Sequence, residues 1–183
     1  MVAEQDDLVL VRQCLDGDRK GFETLVDKYQ RTIFNLALRV TNDCATAEDV
    51  AQSAFLKAFE GLKSFNPRYK FFSWLYRITV NEALNAVSQR KQTERLNEEQ
   101  LLEERGPEET LARNETSDRV QDALMKLKVD HRVVVVLKHF QELSYVEIGQ
   151  ILDIPEKTVK SRLFSARTVL KDILVKKGLD KNA

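Results

Sequence analysis

Apolar residues near the start of the chain recur at steps of three and four positions, which places them on one face of an α-helix. This pattern predicts a helix over residues 22–40, and the preceding Asp16-Gly17-Asp18 predicts a turn with an N-cap residue. The apolar face of this helix would comprise Phe22, Leu25, Val26, Tyr29, Ile33, Leu36, Ala37 and Val40.

A second amphipathic helix is predicted to begin near Thr46, because Asp49 follows three residues later with the spacing of a capping box. Its small apolar residues would let two helices approach closely, and they are Ala47, Val50, Ala51, Ala54, Ala58 and Leu62. Pro67 and its neighbours predict a loop over residues 65–68. A third helix should follow and continue to about Gln92.

Residues 94–118 differ in character from the rest of the chain. They contain nine acidic and three basic residues, a net charge of minus six, with Gly106-Pro107 in the middle. This composition predicts a solvated, flexible linker, with a structured acidic arm as the alternative. The sequence therefore predicts an all-α fold with two small helical domains, residues 1–95 and 118–183, joined by an acidic flexible linker over residues 96–117.

The second domain contains four consecutive valines in the segment Val133–Leu137, and their β-branched side chains favour a strand by propensity alone. We predict a helix instead, because the flanking segments have helical patterns and the chain offers no partner strand. Four valines in a row on a helix would leave one or two partly exposed, which suggests a docking surface.

The segment from Ser144 to Leu174 predicts a helix-turn-helix. Ser144 and Glu147 have the spacing of a capping box that opens a short helix. Asp153 tolerates the left-handed backbone of a tight turn, and Pro155 suits the first turn of the next helix. From residue 156 onward there are eight basic and three acidic residues. A short turn followed by a basic helix is the arrangement that reads the DNA major groove, whereas an ordinary helical hairpin with a basic face is the alternative.

Composition narrows the possible functions. The 183 residues are 43% hydrophobic with a formal net charge of zero, so charge alone does not indicate a nucleic-acid ligand. The two cysteines, Cys14 and Cys44, predict free thiols in a reducing compartment. No segment is apolar enough to span a bilayer, and the first residues are acidic, unlike a secretory signal, so we expect a cytoplasmic protein without membrane insertion. The residues suggest no catalytic set, cofactor or metal site, and therefore no enzyme.

Several motifs in order resemble the extracytoplasmic-function sigma factors, the smallest class of the sigma-70 family. They are GDRKGF at 17–22, AEDVAQSAFLKAF at 47–59, FSWLYRITVN at 72–81, LSYVEIG at 143–149 and IPEKTVKSRL at 154–163. The resemblance extends from about Asp7 to Val175, with a loose match only in the linker. It implies a protein that binds RNA polymerase core and directs promoter recognition, DNA melting and transcription initiation, in a stress or envelope-type response.

The resemblance implies a polymerase-binding surface on the second helix. A helix with a polar outer face that also carries a leucine suits docking against another helix. The implied residues are Asp49, Gln52, Ser53, Phe55, Leu56 and Phe59. Ser53 departs from the acidic residue common at that position in the family.

The resemblance also implies that the segment from Phe65 to Asn81 melts and reads the minus-ten promoter element. Single-stranded DNA needs aromatic surfaces for its bases and cations for its phosphates. The implied residues are Phe65, Arg68, Tyr69, Lys70, Phe71, Arg77 and Asn81, of which Asn81 could read a base edge through its amide. The loop over 66–70 departs from the small polar loop usual in the family.

The last helix would then enter the major groove of the minus-thirty-five element. Lys160, Ser161, Phe164 and Ser165 match positions that face base edges, whereas Thr158, Arg162 and Arg167 suit phosphate contacts. The implied partners are RNA polymerase core, promoter DNA in duplex and single-stranded form, and an anti-sigma factor. Before polymerase binds, the two domains would stay close together or be held by a partner. The alternative function is a helix-turn-helix regulator that binds duplex DNA without polymerase.

Overall fold

The computed structural model describes the backbone of residues 2–98 and 115–176 and the side chains of residues 7–93 and 119–173. Within these ranges all regular structure is helical, as the all-α prediction requires. The helices are α1 (Val2–Leu15), α2 (Arg19–Thr41), α3 (Cys44–Gly61), α4 (Phe71–Glu98), α5 (Glu115–Met125), α6 (Val129–His139), α7 (Tyr145–Leu152) and α8 (Glu156–Lys176), with a 3₁₀ turn at Leu62–Ser64.

Helices α1 to α4 pack around the apolar face that the sequence predicts for α2. Leu25, Ile33 and Leu36 of this face are completely buried. Asp18 is the N-cap of α2, as predicted, and its carboxylate accepts a hydrogen bond from the Lys20 backbone N–H at 3.0 Å. The left-handed backbone of Asn42 ends the helix.

The start of α3 differs from the prediction. The helix begins at Cys44, and its N-cap is Asp43, whose carboxylate accepts a hydrogen bond from the Thr46 backbone N–H at 2.7 Å. Asp43 has the extended backbone of an N-cap residue, so the helix begins three residues earlier than a capping box with Thr46 as the N-cap would place it. The predicted small face is confirmed, since Ala47, Ala54 and their neighbours on this face lie against α2 and α4.

Helices α5 to α8 form the second bundle. The segment Val129–His139 is helical, as predicted against its β propensity. The expectation that one or two of the valines at 133–136 would be partly exposed is wrong, because all four are at most 4% exposed. The reason is that α2 of the first bundle packs against α6 and covers the side that the second bundle leaves open.

Polar contacts join the same two bundles at the end of α2. The Gln121 side chain donates to the Arg39 carbonyl at 3.3 Å, and the buried Arg132 guanidinium donates to the Val40 carbonyl. The carbonyls in the last turn of a helix have no partner within that helix, so these side chains from α5 and α6 cap α2. The guanidinium of Arg39 in turn lies 3.7 Å from the ring centre of Phe140.

The predicted linker over 96–117 is described only at its two ends. Helix α4 continues to Glu98 and α5 begins at Glu115, so the linker prediction for residues 99–114 lies outside the described residues. In the described ranges, no helix has the length and apolar character needed to cross a bilayer.

Candidate nucleic-acid and protein interfaces

The predicted helix-turn-helix is formed by α7 and α8. The Ser144 hydroxyl accepts from the Glu147 backbone N–H at 3.2 Å, and the Glu147 carboxylate accepts from the Ser144 backbone N–H at 2.9 Å, which completes the capping box. Asp153 has a φ of 55°, as the turn requires. A Cβ added at Gly149 would lie 2.8 Å from the Ile154 carbonyl oxygen, so the turn packs closely against α7.

Removing the capping hydroxyl should weaken this motif. We expect Ser144→Ala to lower the free energy of unfolding by about 1 kcal/mol, because the first turn of α7 loses an acceptor for its N–H groups. Urea unfolding followed by circular dichroism measures the change. The matched control is Ser161→Ala on the exposed face of α8, for which we expect a change within about 0.5 kcal/mol. Equal effects of the two substitutions would contradict the capping role.

Helix α8 presents the residues predicted to face base edges. Lys160, Ser161 and Phe164 are exposed, and Phe164 is 75% exposed, far more than a phenylalanine packed in a core. Thr158 and Ser165 are half-buried at the edges of this row. The row is therefore accessible to a groove, with an aromatic ring at its centre.

Two cations of α8, Lys160 and Arg162, are held by acidic neighbours within the second bundle. Lys160 Nζ lies 2.6 Å from a carboxylate oxygen of Glu156, and this hydrogen bond raises the pKa of Lys160. Arg162 Nη2 lies 3.4 Å from a carboxylate oxygen of Asp130. Arg167 is exposed. Exposed pairs of this kind are weak, so DNA phosphates can replace the carboxylates.

The aromatic residues predicted for single-stranded DNA divide into two groups. Phe71 is 2% exposed and Phe65 is 8% exposed, so neither presents an open face for stacking in this structure. Their rings pack edge-on at 5.8 Å, and both lie against Trp74. Tyr69, at 56% exposed, is the accessible ring, and the two phenylalanines support the loop that carries it.

A cavity of about 320 Å³ lies beside this loop. Its lining includes Phe65, Tyr69, Trp74 and Arg77, together with Ser73, whose buried Oγ has no hydrogen-bond partner among the described residues. The wall opposite α4 comes from the second bundle, through Gln150 and Asp153.

The polar and basic residues of this segment are placed differently from one another. Arg68 is exposed in the loop, and Asn81 is exposed on α4, one helical turn beyond Arg77. Lys70 contacts Glu147 of α7, and Arg77 contacts Asp153 in the turn that follows α7. Sequence reasoning missed these contacts between the bundles, because no local pattern relates residues about 75 positions apart.

The residues predicted for polymerase binding form one surface on α3. Asp49, Gln52, Leu56 and Phe59 are exposed, whereas Ser53 and Phe55 are half-buried. Leu56 is 57% exposed and Phe59 is 45% exposed, and the Phe59 ring rests edge-on against Phe22 of α2. An exposed apolar patch of this kind, bordered by polar side chains, is typical of a protein-binding surface.

A groove between α2 and α3 extends this surface. It is lined by Gln52 and Phe55 of α3 and by Arg31 and Phe34 of α2, which sequence reasoning did not select. In the sequence, the signal for this groove is an aromatic residue, Phe34, that lies outside the repeating apolar stripe of α2. Across the described side chains, His, Cys, Asp and Glu do not gather in groups of three or more that could hold a metal ion.

Comparison with known protein families gives two matches that together cover most of the chain. Residues 25–93 match the Sigma-70 region 2 model, and residues 117–170 match the Sigma-70, region 4 model. The chain is 35% identical to the ECF RNA polymerase sigma factor SigW of Bacillus subtilis (strain 168), over 88% of this chain and 92% of that protein. It is 36% identical to the ECF RNA polymerase sigma-E factor of Escherichia coli (strain K12), over 93% of this chain and 95% of that protein.

Solved structures share the fold. The structure of CnrH in complex with the cytosolic domain of CnrY matches with a TM-score of 0.74 and 26% identity, over 93% of this chain and 98% of that one. The sigma factor RpoE in complex with the anti-sigma factor NepR from Bartonella quintana matches with a TM-score of 0.71 and 22% identity, over 85% of this chain and 97% of that one.

Proposed function

The chain belongs to the extracytoplasmic-function sigma factors of the sigma-70 family, and from that premise we propose that it binds RNA polymerase core and directs promoter recognition, melting and transcription initiation. The observation that carries the proposal is the presence, in one chain, of three surfaces of the required chemistry. They are the apolar patch on α3, the aromatic and basic segment at the start of α4, and the exposed row on α8.

The chemistry of each surface indicates which partner it binds. The α3 surface, centred on Leu56, docks on the polymerase. Tyr69, Lys70, Arg77 and Asn81 engage the unpaired strand of the minus-ten element, where bases stack on aromatic rings and phosphates pair with cations. The exposed row of α8 enters the major groove of the minus-thirty-five element, and Phe164 contacts a thymine methyl group there.

This activity requires binding energy and no covalent chemistry from the chain itself. We therefore assign it as a transcription initiation factor without enzymatic activity, cofactor or metal. It would act in the cytoplasm, where the polymerase works. An anti-sigma factor is the expected regulatory partner, since the matching RpoE structure contains one.

The test is transcription in vitro with purified bacterial core polymerase and a pooled promoter library, with and without this protein. We expect new start sites that share two motifs about two DNA turns apart, the separation that two DNA-reading units on one chain require. Asn81→Ala and Lys160→Ala should each reduce transcription from these sites by about tenfold, because one lost base contact is worth about 1–3 kcal/mol.

The matched control is Lys171→Ala, an exposed lysine near the end of α8, for which we expect little change. Binding of duplex DNA at high affinity without polymerase, combined with no stimulation of transcription and no capture of core polymerase, would contradict the proposal. That result would favour a helix-turn-helix regulator that acts unaided.

A further inference from the structure

A buried carboxylate joins α1 to the middle of α2. Asp7 of α1 is 2% exposed, and each of its carboxylate oxygens accepts one hydrogen bond from α2. Oδ1 accepts from the Lys28 ammonium, and Oδ2 accepts from the Tyr29 hydroxyl. A buried carboxylate is costly unless it is hydrogen-bonded, and bonds to an ionised group are stronger than bonds between neutral groups. The contact therefore fixes the Tyr29 side chain relative to α1.

Further contacts hold α1 in place along α2. A Cβ added at Gly21 would lie 2.5 Å from the Leu10 carbonyl oxygen, so only glycine lets the two helices approach this closely. Val11 of α1 is 4% exposed and packs in the apolar core. Helix α1 also lies against α4 and against the 3₁₀ turn that precedes the minus-ten loop. These contacts fix α1 as the support on which Asp7 is held.

The Tyr29 ring is the first of four aromatic rings that lead from Asp7 to the proposed minus-ten segment. Its centre lies 6.0 Å from that of Phe71, which is 2% exposed. Phe71 in turn lies 5.8 Å from both Phe65 and Trp74, and these two rings are 5.2 Å apart. Aromatic rings at such separations attract one another beyond the burial of their area. The position of Tyr29 therefore influences the whole ring cluster.

Two rings of this cluster hold the ends of the loop that carries Tyr69. Phe65 precedes the loop, and Phe71 is the first residue of α4. Within the loop, the Asn66 carbonyl accepts from the Tyr69 backbone N–H at 3.0 Å, and the Asn66 side chain accepts from the Arg68 backbone N–H at 3.0 Å. Because the turn is tight and its ends are held, the position of the exposed Tyr69 ring depends on where the two phenylalanines lie.

We propose that Asp7 and Tyr29 are positioning residues for capture of the unpaired strand, since their hydrogen bond fixes the ring cluster that sets the position of Tyr69. This inference rests on the proposed function, because it assumes that the α4 segment binds the minus-ten strand. Neither residue needs to touch DNA, since both act through Phe71. A Tyr69 ring that is already in place loses less conformational freedom when a base stacks on it, which strengthens binding.

Variants of the full chain separate this role from a general loss of stability. Tyr29→Phe removes only the hydroxyl, Asp7→Ala removes its acceptor, and a double variant combines the two. Asp7→Asn keeps a group that can hydrogen-bond to the Tyr29 hydroxyl, because an amide both accepts and donates. The control is Thr41→Val, which removes a buried hydroxyl from the far end of α2, where it donates to the Ala37 carbonyl at 2.9 Å.

Three quantities are measured for each protein. The first is the affinity of holoenzyme, assembled from core polymerase and each variant, for a labelled single strand that carries the minus-ten motif of the promoters found in the library experiment. The second is the affinity of each variant for core polymerase, measured by competition. The third is the fluorescence emission of Trp74 in the free protein, which reports the packing of the ring cluster because the chain contains one tryptophan.

We expect Tyr29→Phe and Asp7→Ala each to weaken strand binding by about threefold to tenfold, a part of what stacking of one base on an aromatic ring contributes. The double variant should lose no more than either single variant, because both changes remove the same hydrogen bond. The emission of Trp74 should shift in these three proteins, whereas their affinity for core polymerase should not change. Asp7→Asn should recover most of the strand affinity, and Thr41→Val should match the unmodified chain in all three measurements.

Equal strand affinity in all the proteins would overturn the positioning role. Additive losses in the double variant, an equal loss in Thr41→Val, or Asp7→Asn as weak as Asp7→Ala would also overturn it. If the unmodified chain binds core polymerase and starts transcription at discrete sites while this occurs, only this inference fails. If the unmodified chain neither binds core polymerase nor stimulates transcription, the proposed function fails with it.

Discussion

Arg132→Met is expected to lower the free energy of unfolding by about 3 kcal/mol or more, because it leaves several buried carbonyls without a donor. Arg132 is 5% exposed, and burial lowers its pKa, although a guanidinium remains charged in proteins. Its Nε donates to the Leu124 carbonyl at 3.1 Å, and its Nη2 donates to those of Met125 and Leu127 at 3.2 and 3.3 Å. Its Nη1 donates to the Val40 carbonyl of the first bundle.

Methionine preserves much of the apolar stem of arginine, so the expected loss comes mainly from the hydrogen bonds. Unfolding in guanidinium chloride, followed by circular dichroism, measures it. Arg132→Lys should recover only a small part of the stability, since one ammonium cannot reproduce the planar fork that reaches carbonyls on opposite sides. The control is Arg167→Met on the exposed side of α8, for which we expect a change within about 0.5 kcal/mol. A comparable loss in the control would show that Arg132 has no special role.

The parts of the fold that the sequence predicted are those determined by local patterns. The stripe on α2 and the small face on α3 follow from periodicity, and most residues of both are buried as predicted, with Val26, Tyr29 and Ala51 partly buried. The capping box at Ser144 and the left-handed Asp153 follow from local turn chemistry. The resemblance to the sigma-70 family, read from motifs in order, is confirmed by the family matches and the relatives.

The parts that the sequence did not predict depend on contacts between distant segments. The valines of α6 were expected to be partly exposed, because the sequence does not show that α2 would cover them. Phe65 and Phe71 were selected for stacking by residue type, but burial depends on the packing around Trp74. The pairing of Lys70 with Glu147 joins residues that have no shared local pattern. Residue type indicates what chemistry is available, and the tertiary structure decides which side chains can use it.

The three proposed binding surfaces differ in whether their side chains contact the other bundle. On α8, Lys160 and Arg162 are paired within their own bundle, and the residues of the α3 surface are exposed or half-buried. Only the α4 segment is paired across the bundles. The α3 surface is therefore accessible in this arrangement of the bundles, and we expect polymerase to dock there first.

Leu56→Asp is accordingly expected to weaken binding to core polymerase by about 100-fold, equivalent to about 3 kcal/mol. Leu56 is 57% exposed in the middle of the outer face of α3, where Gln52 and Phe59 flank it. Burial of a leucine side chain in an interface stabilises the complex, because it removes apolar surface from water. An aspartate in its place would lose that gain and bury a charge without a partner. Transcription in vitro with Leu56→Asp should stay at the level seen without the protein, at a protein concentration at which the unmodified chain gives maximal transcription.

Binding is measured by competition for labelled core polymerase, with the full chain and each variant at the same salt concentration. Val9→Asp is the matched control, because Val9 of α1 is also an exposed apolar residue, at 49%, and lies outside the α3 surface. Both variants should keep the melting temperature of the unmodified chain within a few degrees, since both side chains already face solvent. If Val9→Asp weakens core binding as strongly as Leu56→Asp, or if Leu56→Asp binds normally, the polymerase contacts the protein elsewhere. A selective loss with Leu56→Asp would instead place the contact on the outer face of α3.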